Sequence, residues 1–378
     1  MIQIESMPCL ASTTFALARR HVRQPHPWFP EFPKSFLHYT AEVVVSRTRQ
    51  SLVPAATFAA TLTVVALATS AAVDRLSGLA LLRPGVEAGE RPPDGDHYLA
   101  NDTGGHVDHH VLYFGIDDDA QRRLQAADVL FLGNSRLMFA LRPEELRPFF
   151  AAQGLSYYVL GFGFREADRF PLAILRRFDL RPKLVVVNAD GFFGGGMSPW
   201  AEQVIRDTPF AARKRQWEAE ASHEARRMTH VVFPHWPSIL GLPGLGNGRT
   251  FTAYRSRLDG TWSIWPWRTA SAAFRPAPLE GPGVGRGEAR DADRFAAELA
   301  QRGARLVLTR VPTPVAMPGA GPAEVARRLR VPLVAPEIPG PTSADQSHLD
   351  AASAHDWTRA FLDALAPHLS GLAGSRLR

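Results

Sequence analysis

The sequence predicts an α/β protein, a three-layer sandwich around a central, mostly parallel sheet. Short continuous apolar runs such as "KLVVVN" suit strands that are covered on both faces. They alternate with helical stretches, which implies right-handed crossovers. Three successive runs end in small polar knots, "GNSR", "GFGF" and "NADG", where a parallel sheet opens at its carboxyl edge.

Taken in order from Ala127, the first strand is Val129 to Leu132, from "VLFL", followed by a helix from Pro143 to Gln153. "YYVL" gives a strand from Tyr157 to Leu160, then a helix from Glu166 to Phe178, then a strand from Leu184 to Val187. The stretch 191–287 breaks the alternation. It carries a helix from Ala211 to Met228 and then aromatic, proline-rich text, and reads as an insertion or lid over the sheet. Alternation resumes with a helix from Ala289 to Arg302, a strand from Arg305 to Thr309, a helix from Ala323 to Leu329 and a strand from Pro332 to Val334. An amphipathic helix from Ala351 to Leu365 follows. The α/β domain is thus expected over 125–370.

Composition bounds the rest. The 378 residues leave room for one large domain and an appendage. With 45% hydrophobic and 21% charged residues, most of the chain is expected to fold. The net charge of +6 comes from Arg scattered among Ala, Pro and Gly, with no basic stripe, so nucleic acid is not an expected partner. Cys9 is the single cysteine, which excludes an intrachain disulfide and a cysteine-based metal site.

The run Leu52 to Val73 carries no charge and, at about 1.5 Å per residue, is long enough for a hydrocarbon core of about 30 Å. Pro54 sits where a helix can begin. Ala66-Leu67-Ala68 offers a cleavage-like site, but a long segment precedes it, which favours a retained transmembrane helix over a signal peptide. Arg19, Arg20, Arg23, Lys34, Arg47 and Arg49 all lie before the run, so the N-terminus is expected in the cytoplasm and the domain outside it. A single-pass protein of a bacterial-type inner membrane is the expectation. Residues 1–50, with "QPHPWFPEFPKSF", read as largely disordered, and 76–124 as a stalk ending in a short helix.

The polar knots place Ser135, then Gly161 and Gly163, then Asn188 and Asp190 at three neighbouring strand ends. Near the other end, "DQSHL" sets Asp345 three residues before His348, a spacing that lets one short turn orient an imidazole. Each residue also has a plainer role: Ser135 as a helix N-cap, His348 in packing, Asp345, Asn188 and Asp190 in turns.

In this order the blocks resemble the SGNH, or GDSL-type, hydrolase family, with the late Asp-x-x-His-Leu leading into a helix as the most specific part. Asn134 stands where family members usually carry Asp, and Asn188-Ala189-Asp190 stands where they carry Gly-x-Asn-Asp. The resemblance implies a flavodoxin-like sandwich in which Ser135 attacks an ester carbonyl, His348 accepts its proton and Asp345 holds the imidazole. It also implies an oxyanion site made by the Ser135 amide, an amide of Gly161 or Gly163, and either Asn188 or, with a shifted register, Asp190. The implied activity is a membrane-anchored serine esterase or acyltransferase, without a cofactor or metal, acting on an acyl ester of an envelope polysaccharide, peptidoglycan or lipid. The competing class is an inactive envelope protein of the same fold that binds carbohydrate or supports polysaccharide assembly.

Other motifs carry less. "GGHVDHH" gathers His106, Asp108, His109 and His110 and could grip zinc, but reads better as polar stalk. "GPGVGRG", from Gly281, lacks the Lys-Ser/Thr ending of a phosphate loop and reads as a connector. Trp262, Trp265 and Trp267 suit either sugar stacking or packing of the insertion.

Overall fold

The computed structural model describes residues 96–102, 105–163, 166–232, 252–265, 271–281, 283–315, 319, 321–343 and 345–372, together with Thr61 and Val64. Strands β1 (His97–Asp102) and β2 (Gly105–His106) lead into helices α1 (Val107–Phe114) and α2 (Asp118–Gln125). Then come β3 (Val129–Gly133), α3 (Ser135–Ala140), α4 (Pro143–Ala152), β4 (Tyr157–Gly161), α5 (Arg169–Arg177) and β5 (Leu184–Asn188). The expected insertion holds α6 (Pro199–Arg206), α7 (Pro209–Val232), β6 (Thr252–Ser256), β7 (Trp262–Trp265) and β8 (Ala272–Ala273). The chain continues through α8 (Arg286–Gln301), β9 (Arg305–Thr309), α9 (Pro322–Leu329), β10 (Leu333–Val334), β11 (Thr342–Ser343) and α10 (Ala351–Leu369).

Five strands form one parallel sheet in the order β10-β9-β5-β3-β4. Counted by appearance this is 2-1-3-4-5, so the chain reverses its direction of travel across the sheet between β3 and β5. A crevice opens at such a reversal, beyond the carboxyl ends of the strands. All residues of β3, β4 and β5 are buried. Alternation sends Phe131, Val159, Val186 and Val307 to one face, where α3, α4 and α10 pack, and Leu132, Leu160, Val187 and Leu308 to the other, where α5, α8 and α9 pack. Within the first layer, Trp357 stacks on Phe361 at 5.0 Å between ring centroids, and Phe361 meets Phe131 edge-on at 6.2 Å. This is the expected three-layer α/β sandwich.

A second sheet, β2-β1-β6-β7, is antiparallel and joins segments far apart in sequence. It changes two expectations. From His97 onward the expected stalk is part of the domain, because its polar residues find buried partners: Asp108 and His109 are 0% exposed and Arg255 of β6 pairs with Asp108. The insertion, in turn, closes the free edge of β4. Asp259 O accepts from Val159 N (2.8 Å) and Arg255 Nη1 donates to Val159 O (2.7 Å), groups that an open edge would offer to another chain.

Among the described residues no helix is long and apolar enough to cross a membrane. The expected span 52–73 lies outside them apart from Thr61 and Val64, both helical, as do residues 1–50 and Trp267. Trp262 is buried within the first layer, which makes it a packing residue.

Candidate active site

β3 ends at Gly133 because nothing larger fits: a Cβ there would lie 2.9 Å from Asn188 Cβ and 3.0 Å from Leu137 Cδ2. Asn134 then caps α3, its Oδ1 accepting from Arg136 N at 3.1 Å. The N-cap role open to Ser135 is therefore filled one residue earlier, and Ser135 is the first residue of the helix, half-buried at the crevice. Its backbone amide belongs to the first turn, where no intrahelical acceptor exists.

Three side chains meet there in line. His348 Nε2 lies 2.9 Å from Ser135 Oγ, and His348 Nδ1 lies 2.8 Å from Asp345 Oδ2. Asp345 Oδ1 also accepts from His348 N (2.8 Å) and Ser347 N (3.0 Å). The turn closes because Gln346 takes a φ of +64°, aiming both amides at one oxygen. Burial alone would push the Asp345 carboxyl up; the hydrogen bond and charge of His348, with the two amides, hold it far below the usual carboxylate range. Phe139 stacks on the His348 ring at 4.2 Å between centroids. This set can remove a proton from a serine hydroxyl and keep the resulting imidazolium in place.

The strand ends beside Ser135 sort the remaining residues. Alternate amides of a strand point to opposite edges. Phe162 N donates inward to Gly133 O, whereas Val159 N and the carbonyls of Val159 and Gly161 face outward to Asp259 and Arg255. The Gly161 backbone groups thus point away from β3. Gly163 lies beyond the strand, and its amide has no acceptor among the described residues; a Cβ on it would lie 3.3 Å from both His106 and Trp262.

Asn188 ends β5 with its side chain wholly buried: Nδ2 donates to Asn134 Oδ1 (3.1 Å) and Oδ1 accepts from Val311 N (3.3 Å). Such a group ties strand ends together. Asp190 pairs with the Arg136 guanidinium, and its carbonyl accepts from Asn134 Nδ2 at 3.0 Å. Asp190, a carboxylate already paired with Arg136, has no donor to offer an oxyanion, whereas Asn188 Nδ2 has a second N–H beyond its bond to Asn134.

Sequence reasoning missed Arg136 and Arg255. Arg136 holds Asp190 and reaches Ser347 Oγ at 3.4 Å, joining the first, third and last blocks. Its signal was its position next to Ser135. Arg255 Nη2 donates to Asp108 Oδ2 (2.9 Å) and to Gly161 O (2.5 Å), fixing the end of β4 from behind; its signal was an arginine inside the apolar text "TAYRS".

His106, Asp108 and His109 bring three ligand atoms within 4.8 Å of one another. The donor set suits charge pairing better than a cation. His109 Nδ1 lies 2.9 Å from Asp108 and Nε2 3.3 Å from Glu166, while Asp108 also holds Arg255. Burial alone would lower the His109 imidazole; its two carboxylate partners raise it to about 9, which favours its protonated form. In "GPGVGRG", Gly281 N is taken by Glu324 (2.9 Å) and Gly285 N by Glu288 (3.0 Å), which leaves a carboxylate where a phosphate would sit.

No family model matches the sequence, and no curated protein matches it. Among solved structures, the crystal structure of TesA is similar at 16% sequence identity over 65% of this chain and 98% of its own, with a TM-score of 0.28. A likeness of that size carries no argument, and the functional reading rests on the geometry of the site.

Proposed function

We propose that this chain is a serine hydrolase or acyltransferase of the SGNH (GDSL) type that cleaves an acyl ester. The observation that carries it is the line Asp345–His348–Ser135, each link within 2.9 Å, at the carboxyl edge where the sheet order reverses.

In the proposed reaction Ser135 Oγ attacks the ester carbonyl while His348 Nε2 takes its proton. Asp345 keeps the Nδ1 proton in place and stabilises the imidazolium. The amides of Ser135 and Gly163 receive the negative oxygen. Collapse of the tetrahedral intermediate breaks the ester C–O bond, and His348 returns its proton to the leaving alcohol. Water, or a second hydroxyl in acyl transfer, then attacks the acyl-serine by the same route and frees Ser135.

The uncharged run Leu52 to Val73 and the basic flank before it support a single membrane anchor with this domain outside the cytoplasm. An acyl ester of an envelope polysaccharide, peptidoglycan or lipid is the matching substrate class. Turnover of p-nitrophenyl acetate by the full chain tests the chemistry. Ser135→Ala is expected to lower kcat/KM by about a thousandfold or more with an unchanged Tm; equal rates for both proteins would remove Ser135 from the mechanism.

A further inference from the structure

Beyond the nucleophile, the crevice edge carries two guanidiniums, Arg136 and Arg310, beside the carboxylates Asp190 and Asp345. Arg136 follows Ser135 and is 6% exposed; Arg310 follows Thr309, the last residue of β9, and is 3% exposed. Thr309 is paired in register with Asn188, so Arg310 leaves the sheet beside the end of β5, on the flank of Ser135 opposite Gly163. Asp190 is the carboxylate that bonds Arg136 and acts on Arg310.

The guanidinium of Arg310 is only half used. Its Nη1 donates to the carbonyls of Ala277 (2.5 Å) and Pro278 (2.8 Å), which fixes the side chain. Its Nε and Nη2 are buried with no hydrogen-bond partner among the described residues. Those two nitrogens form the side-on edge of the guanidinium, the fork that grips two oxygens of one carboxylate, phosphate or sulfate. Asp190 is already bonded to Arg136, so the Arg310 fork has no carboxylate bonded to it among the described residues, and a buried charge without such a partner is costly. Burial pushes Arg310 below its usual value, with Asp190 opposing and Arg136 adding, but a guanidinium has no neutral form to fall back on in this range.

We propose that Arg310, with Arg136 behind it, is a subsite for an oxyanion group carried by the substrate. The inference rests on the reading of Ser135 as nucleophile and deepens it: the ester acted on is anionic, with its charge held on the β9 side of the serine and its carbonyl oxygen on the β4 side. An acylated acidic sugar and a phosphate-bearing ester share this chemistry.

Isothermal titration of the full chain with inorganic phosphate, with D-glucuronate and with uncharged D-glucose tests it. One or both anions are expected to bind and glucose not; phosphate alone points to a phosphate-bearing ester, and glucuronate binding to an acidic sugar. Arg310→Lys, which keeps a donor for the two carbonyls, is expected to weaken anion binding at least tenfold, and Arg310→Gln to remove it, in proteins shown to be folded by thermal melting. Absence of binding by either anion, or a folded Arg310→Lys that binds as tightly as the parent, overturns the subsite. Ester hydrolysis without anion binding sinks the subsite alone, whereas anion binding lost in Arg310→Gln, without hydrolysis of any ester, sinks the esterase reading and leaves the subsite.

Discussion

Asp345 accepts three hydrogen bonds within a single turn, which makes it both the tether of His348 and a group that stays ionised through the acid range. Its folded value is depressed, so its stabilising effect is complete above the unfolded value of about 3.9 and disappears only as pH falls toward the folded one. The acid limb of a pH–rate profile therefore does not come from Asp345. Asp345→Asn is expected to lower kcat on p-nitrophenyl acetate by about 10³- to 10⁴-fold, since the charge that stabilises the imidazolium is gone; a loss below tenfold in steady-state kinetics would contradict its role.

His109 titrates in the opposite sense. Its folded value of about 9 lies above the unfolded value of about 6.5, so the stability it contributes is complete below pH 6.5 and is lost as pH rises through 9. Its ring nitrogens face the carboxyl groups of Asp108 and Glu166, and Asp108 also pairs with Arg255. Urea unfolding is expected to show up to about 3 kcal/mol less stability at pH 9 than at pH 6.5. His109→Gln is expected to flatten that slope, and an unchanged slope would place the effect elsewhere.

At the scale of elements, the cover on β4 depends on one backbone position. Gly260 in the β6–β7 turn has φ +74°, and a Cβ there would lie 2.4 Å from Val159 O. Gly260→Ala is expected to cost about 3 kcal/mol or more in denaturant unfolding, from the left-handed backbone and the clash together. A loss below 1 kcal/mol would mean that the turn is free to shift.

The same turn shows what sequence reading reaches. β3, β4, β5 and β9 are legible because apolar runs bury themselves, and α10 begins at Ala351 as its amphipathic pattern requires. β1, α1 and β6 are not, because their burial depends on Asp108 meeting Arg255, 147 positions later, and a charge looks exposed until its partner is known. α3 is six residues long, too short to show a helical period. In the site, Ser135, Asp345 and His348 were readable from motif order. The choice between Gly161 and Gly163 needed the register of β4 on β3, and the inward turn of Arg310 left no trace in the sequence.

Over the whole molecule, the reversal of strand order lets one crevice draw on β3, β5 and β9 at once, with α10 supporting the histidine turn from beneath. The proposed anchor belongs to this scale as well. The full chain is expected in the membrane fraction after alkaline extraction, and a chain lacking residues 1–75 in the soluble one; recovery of the full chain as a soluble protein would remove the anchor.

The distance between nucleophile and base also sets a clock. Ser135 precedes His348 by 213 positions, and at about 5–20 residues per second a ribosome takes roughly 10 to 40 s to travel between them. Through that interval the nascent chain carries Ser135 without its proposed base. On the proposed mechanism hydrolytic competence arrives only with His348, and a chain released before it lacks its proposed base however well its earlier strands have assembled.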